Sequence, residues 1–215
     1  MLVRPPGVYR AQQDTSLLQE VVRQCGQAAG RAVLDVGTGT GALAIEAARA
    51  GAASVTAVDL SRRSVLASWL NSRFRGIPAD VRRGDLFSPV VPRRFGLVLA
   101  NPPYVPAPGR PARRGIARCW DAGPDGRDLL DRICASAPSV LTESGSLMLV
   151  QSEIAGEQAT VDRLREAGLV PHVVGRDRVP FGPVLRERAP ALRARGLLSS
   201  GQADEELVVI EARHE

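Results

Sequence analysis

The sequence of 215 residues contains no lysine at all, and its 28 basic residues are all arginine. Schiff-base and other lysine chemistry is therefore excluded. The absence of lysine reads as the codon bias of a GC-rich genome, so the formal charge of +5 is weak evidence for a nucleic-acid partner. Histidine is scarce, with only His172 and His214, and the three cysteines (Cys25, Cys119, Cys134) stand far apart. That set has no metal-ligand spacing and frames no disulfide network, so no metal is expected and a reducing cytoplasm is the default. No apolar run approaches the ~20 residues a membrane span requires, and no N-terminal signal pattern is seen. A membrane partner is not expected. What is present, 44% hydrophobic and 24% charged residues, is the composition of a globular domain large enough to bury a full core. The chain reads as one domain over residues 1–215, without internal repeats.

One stretch organises the rest. Phe95, Leu97, Val98 and Leu99 read as a buried strand that stops at Asn101-Pro102-Pro103-Tyr104. Two prolines in a row have no N–H to give a sheet ladder, so the strand must end in a stiff turn. That turn offers two acceptors, the Asn101 side-chain oxygen and the Pro102 carbonyl, to a planar nitrogen bearing two hydrogens. Pro103 stiffens the turn, and Tyr104 would lie over the flat group.

Upstream, residues 1–13 read as an irregular lead-in. Asp14 reads as the N-cap of a helix with Leu17, Leu18, Val21, Val22 and Cys25 on one face, closed by residues 26–30. A strand over 31–36 runs into Gly37-Thr38-Gly39-Thr40-Gly41 and an alanine-rich helix to about residue 50. A second strand, 54–58, ends at Asp59. Ser61 caps a helix whose inner face is read as Val65, Leu66, Trp69, Leu70 and Phe74, which assigns Trp69 and Phe74 to the core. A third strand, 79–82, precedes Asp85-Leu86. After the proline turn come an irregular loop, 105–124, and a helix over 125–137 with Leu129, Leu130, Ile133 and Cys134 inward. A strand at 146–150, a helix at 157–167 and a strand at 169–174 follow. A basic stretch at 175–203 carries a short helix near 184–195, and the last strand is 206–210. Alternating strands and helices imply an α/β fold with a Rossmann-like, seven-stranded, mostly parallel sheet and an antiparallel last strand.

Glycine-rich loops between a strand and a helix let backbone approach a ligand, and in such sheets ligands collect at the carboxyl ends of strands. Gly37-Thr38-Gly39-Thr40-Gly41 alone would equally suit a nicotinamide dinucleotide. The acids favour S-adenosylmethionine (SAM). Asp35 suits its amino-acid end, Asp59 with Leu60 its ribose, and Asp85 with Leu86 its adenine. Asn-Pro-Pro-Tyr is the motif of SAM-dependent enzymes that methylate amide or base nitrogens, leaving S-adenosylhomocysteine.

With these residues placed, the chain resembles the HemK-type protein-glutamine N5-methyltransferases over roughly residues 7–174, in their short single-domain branch. Val8-Tyr9, Asp14-Thr15 and Leu17-Leu18 resemble that branch's N-terminal motif, with Ala11 and Gln13 where Pro and Glu are usual. Gly115-Ile116, Trp120, Gly123, Gly126-Arg127 and Asp131-Arg132 match a less generic signature. The resemblance implies a class I methyltransferase acting on the glutamine of a release-factor Gly-Gly-Gln loop. Asn101, Pro102 and Tyr104 would be catalytic, and Thr15, Asp35, Gly37, Thr38, Gly39, Gly41, Asp59, Leu60, Asp85, Leu86 and Asn101 would bind cofactor. Pro103 and Trp120 would join the acceptor turn in binding substrate. It also implies a protein substrate and a small zinc-binding activator subunit. The shared turn and the arginine-rich loops leave a nucleic-acid N-methyltransferase (adenine N6 or guanine N2) as one alternative to the protein-glutamine reading. The altered N-terminal motif and the 175–203 stretch leave a small-molecule or protein-lysine N-methyltransferase as another. A non-catalytic SAM-binding module is a further rival.

Overall fold

The computed structural model describes residues 1–109 and 115–215, so the middle of the 105–124 loop lies outside the described residues. Seven strands form one sheet in the order β3-β2-β1-β4-β5-β7-β6. β1 (Ala32–Val36), β2 (Ser54–Asp59), β3 (Ala79–Arg83), β4 (Phe95–Ala100) and β5 (Leu141–Ser152) are parallel. β7 (Asp204–Arg213) runs antiparallel between β5 and β6 (Val170–Pro180), as the expected antiparallel last strand requires.

The central strands are apolar on both faces, the mark of a sheet covered twice. Val33, Leu97, Leu99, Met148 and Val150 pack with Leu18 and Val22 of α1 (Gln13–Cys25) and Leu43 and Ala47 of α2 (Ala42–Arg49). On the other face Leu34, Val98, Leu147 and Leu149 pack with Leu130 and Ile133 of α4 (Asp128–Ser136) and Leu164 of α5 (Glu157–Glu166). Leu185 and Leu192 of α6 (Pro183–Ala194) join that layer. No helix among the described residues is long and apolar enough to cross a membrane.

Three local expectations are corrected. α3 (Arg62–Arg73) is capped by Ser61 as read, but it turns Ser64, Ala67, Ser68, Asn71 and Ser72 inward. Leu66, Trp69 and Phe74 face out, at 52%, 49% and 69% exposure. The cause is proximity: a Cβ on Gly41 would meet Ser68 Oγ at 2.7 Å, so only small side chains fit under the glycine loop. Asn71 then pins the helix by donating to the Thr40 carbonyl at 2.9 Å.

Asp14 is not an N-cap. It lies inside the first turn of α1, and its carboxylate serves Tyr9, Thr15 and the distant Tyr104. β6 continues to Pro180, so the first part of the basic stretch is sheet edge. There Arg176 pairs with Glu157 and Glu206, and Arg178 with Asp204.

Candidate active site

The register gathers the strand ends. Val36 lies beside both Val58 and Ala100, and Asp59 beside Arg83. The loop after β1 therefore has the end of β2 on one side and the Asn-Pro-Pro-Tyr turn on the other, at the point where strand order reverses. A cavity of about 1030 Å³ opens there. Gly37, Gly39, Asp59, Leu60, Asp85 and Leu86 line it on the β1–β3 side, and Asn101, Pro102, Pro103, Tyr104 and Trp120 beyond β4. Leu129, read as a core residue, also turns toward this space.

Asp35, Thr38, Gly41 and Thr15 stand behind the wall. Asp35 is fully buried and accepts from Thr38 Oγ1 at 2.6 Å and from the Ala44 N–H at 3.0 Å, fastening the glycine loop to the start of α2. Its Oδ1 has no partner among the described residues, and burial, helped by the charge of Asp59, pushes its pKa up to about 7. Asp59 accepts the N–H of Gly39 at 3.0 Å on one oxygen and that of Ser61 at 2.8 Å on the other. Each oxygen keeps a lone pair for a further donor such as a hydroxyl. Asp85 holds Arg132 at 2.6 Å, and Leu86 beside it has φ 47°. A leucine in the left-handed region costs about 1–3 kcal/mol, and such strain gathers where a ligand must be met.

The acceptor turn is tied to α1 by a chain of hydrogen bonds. Asn101 Nδ2 donates to Thr15 Oγ1 at 3.0 Å, and Thr15 Oγ1 donates to Asp14 Oδ1 at 3.2 Å. Asp14 Oδ2 accepts the hydroxyls of Tyr9 at 2.7 Å and Tyr104 at 3.1 Å. With its N–H engaged, Asn101 keeps Oδ1 as an acceptor. Burial first, then the Asp14 charge, raises the pKa of both phenols, which stay protonated as donors. Thr15→Val removes the middle of this chain. It is expected to lower kcat about tenfold, the worth of one hydrogen bond, with SAM affinity unchanged. Parallel kinetics and binding isotherms check it.

Sequence reasoning placed no role on Glu205. It lines the cavity at 7% exposure, pushed up to about 7 by burial and the charge of Asp14 and Glu153. The last strand was read from residue 206, whereas it begins at Asp204, and strand alternation turns Glu205 and Leu207 to the cavity together. The far wall is α6, with Val184 and Leu185 facing the space. Arg188 of α6 pairs with Asp121 and donates to the Pro106 carbonyl, joining that helix to the loop after the acceptor turn.

The methyltransferase small domain family matches residues 2–112, just over half of the chain. The chain belongs to this family. A candidate protein N5-glutamine methyltransferase of Methanocaldococcus jannaschii is 30% identical over 177 residues, covering 82% of this chain and 88% of that one. A release factor glutamine methyltransferase of Gloeobacter violaceus is 34% identical over 171 residues, 75% of this chain but only 59% of that protein. Among solved structures, the E. cuniculi Mtq2–Trm112 complex, responsible for methylation of the eRF1 termination factor, superposes with TM-score 0.67 at 22% identity. That match covers 97% of this chain and 99% of the other. The HemK-type resemblance and the class I fold are borne out, and this methyltransferase carries its acceptor turn at the place the fold reserves for ligands.

Proposed function

We propose that this methyltransferase moves the methyl group of SAM to the side-chain nitrogen of a protein glutamine, in the Gly-Gly-Gln loop of a translation release factor. The observation that carries the reading is the Asn101 amide, tied by its N–H to Thr15 so that Oδ1 is kept as an acceptor at the cavity wall. With the Pro102 carbonyl it offers one acceptor to each hydrogen of a primary amide. Tyr104, held at its hydroxyl by Asp14, closes over the amide plane and keeps water out.

The residues present suit SAM. The Gly37 and Gly39 backbone gives room at the wall, the free lone pairs of Asp59 suit ribose hydroxyls, and Leu86 with Asp85 suits adenine. When bound, SAM supplies an electrophilic methyl on a sulfonium. The protein's contribution is position and exclusion of water. The nitrogen sheds its proton during or after transfer, so no base is needed before attack.

The basic stretch supports a protein substrate over a nucleic acid. Five of its six arginines in 175–195 are engaged within the protein. Arg176, Arg178 and Arg188 pair with carboxylates, and Arg193 and Arg195 donate to backbone carbonyls. A small activator subunit belongs to the same reading, and the outward Leu66, Trp69 and Phe74 offer it apolar surface to cover. A release factor as substrate places the enzyme in the cytoplasm.

The test is methylation with tritiated SAM of release factors from the same cell, beside bulk RNA. Label on the Gly-Gly-Gln glutamine is expected. Label on RNA with none on that glutamine would overturn the assignment.

A further inference from the structure

Glu205 presents a demand that the described residues leave unmet. It is 93% buried by its 7% exposure, and its Oε2 has no hydrogen-bond partner among the described residues. It borders the cavity that Asn101 and Tyr104 border, paired across the ladder with Val179 of β6. Asp14, the other carboxylate there, differs: Tyr9 and Tyr104 fill one of its oxygens and Thr15 the other. A buried acceptor without a donor is costly, and a ligand that brings one recovers the loss.

We propose that the carboxylate of Glu205, which lines the cavity, receives a main-chain N–H of the peptide substrate beside the glutamine held at Asn101. This rests on the glutamine-methylation reading above. The residues before that glutamine are glycines, which have no side-chain donor and can offer only backbone N–H groups. Lacking Cβ, they also let the peptide backbone approach the wall closely. A carboxylate accepts an N–H and repels a carbonyl, so Glu205 sets which way the peptide backbone faces.

The groups facing Glu205 are Asp14 of α1, Ser152 at the end of β5 and Glu153 after it, and the phenols of Tyr9 and Tyr104. Burial comes first among the causes that raise its pKa to about 7, and Asp14 and Glu153 add to it, while a hydrogen bond from Ser152 pulls it back. An N–H donor favours the ionised form, so peptide binding competes with protonation. The KM for peptide should be flat above pH 7 and rise about tenfold per unit below it. Asp35, also near 7, lies behind the glycine loop on the SAM side, and saturating SAM removes its influence on the peptide KM.

The experiment is steady-state methylation of a synthetic Gly-Gly-Gln peptide at saturating SAM, from pH 6 to 8.5, by the wild type and Glu205→Gln. SAM affinity is measured separately. At pH 8 the variant is expected to show a peptide KM raised about tenfold or more, the loss of a hydrogen bond to a charged group. Its kcat and SAM affinity should stay within about twofold, and its KM should no longer rise below pH 7. An unchanged KM with the wild-type pH profile would overturn the inference and leave glutamine methylation standing. A parallel loss of SAM affinity would mark a structural role and overturn it too. Absence of transfer to the peptide by the wild type would remove the glutamine reading and this assignment with it.

Discussion

Asn101→Ala is expected to lower turnover by at least about 10³-fold while leaving SAM affinity within about threefold. The size follows from what the amide does. In the proposed reading Asn101 Oδ1 and the Pro102 carbonyl together set the direction of the nitrogen lone pair, and misplacement of a reacting atom by about 1 Å costs about 10²-fold. Loss of one preorganised polar partner at a reacting centre costs a further factor of similar order. The cofactor side of the cavity is built from other strands, with Asp59 at the end of β2 and Asp85 beyond β3, so it should survive. Single-turnover kinetics with tritiated SAM and a binding isotherm check both halves. Turnover retained within tenfold would remove Asn101 from the centre of the reaction.

Gly126→Ala should damage both stability and rate, although Gly126 does not line the cavity. Its φ is +81°, and a Cβ there would run into the Tyr104 carbonyl oxygen and meet Pro106 Cδ at 3.3 Å. The backbone conformation alone costs roughly 1–3 kcal/mol for a residue with a side chain. At about 2–4 °C per kcal/mol for a chain of this size, the melting temperature should fall by several degrees. Relief of the overlap must push the acceptor turn away from α1, which disturbs the Tyr104–Asp14 and Asn101–Thr15 bonds, so kcat should fall as well. Gly30→Ala is the control. Its φ is +69° and nothing lies within 4 Å of its Cβ position, so it should lose stability from the backbone term and keep its kcat. Equal kcat in the two variants would sink the link from Gly126 to the turn.

Gly126 also shows where sequence and structure divide. The resemblance picked out Gly123, Gly126 and Arg127 as a signature without a reason. The structure supplies one: Gly126 lets the loop pass under Tyr104, and Arg127 donates to the Ala155 and Gly156 carbonyls and pairs with Asp131. Thr15 was assigned to cofactor by resemblance, and the structure adds that its hydroxyl accepts the Asn101 N–H. Asp35 was read as serving the amino-acid end of SAM through water or backbone, and the structure shows its side chain holding the glycine loop from beneath. The residue types were legible, but Tyr104 beside Gly126, Ala155 beside Arg127 and Asn101 beside Thr15 were not, because each pair is brought together from separate parts of the chain.

The α3 reading went wrong for a different reason. Val65, Leu66, Trp69, Leu70 and Phe74 have helical spacing, but so do Ser64, Ala67, Ser68, Asn71 and Ser72. Periodicity identifies a helix without choosing between two stripes. Apolarity normally chooses, yet here the close approach of Gly41 to Ser68 gives the inner place to small side chains.

The sequence by itself determined the order of strands and helices, the strand-end positions of Asp59 and Asn101, and the two-acceptor chemistry of the proline turn. These follow from local rules: glycine where the backbone must turn, proline where a ladder must stop, apolar runs where a strand is buried. Only the tertiary structure decided that Asn101 is oriented through Thr15 and Asp14, that Glu205 faces the cavity, and that Trp69 and Phe74 look outward. Those outcomes depend on which surfaces meet once the sheet is assembled, and distances between residues 86 or more positions apart are written in no local pattern.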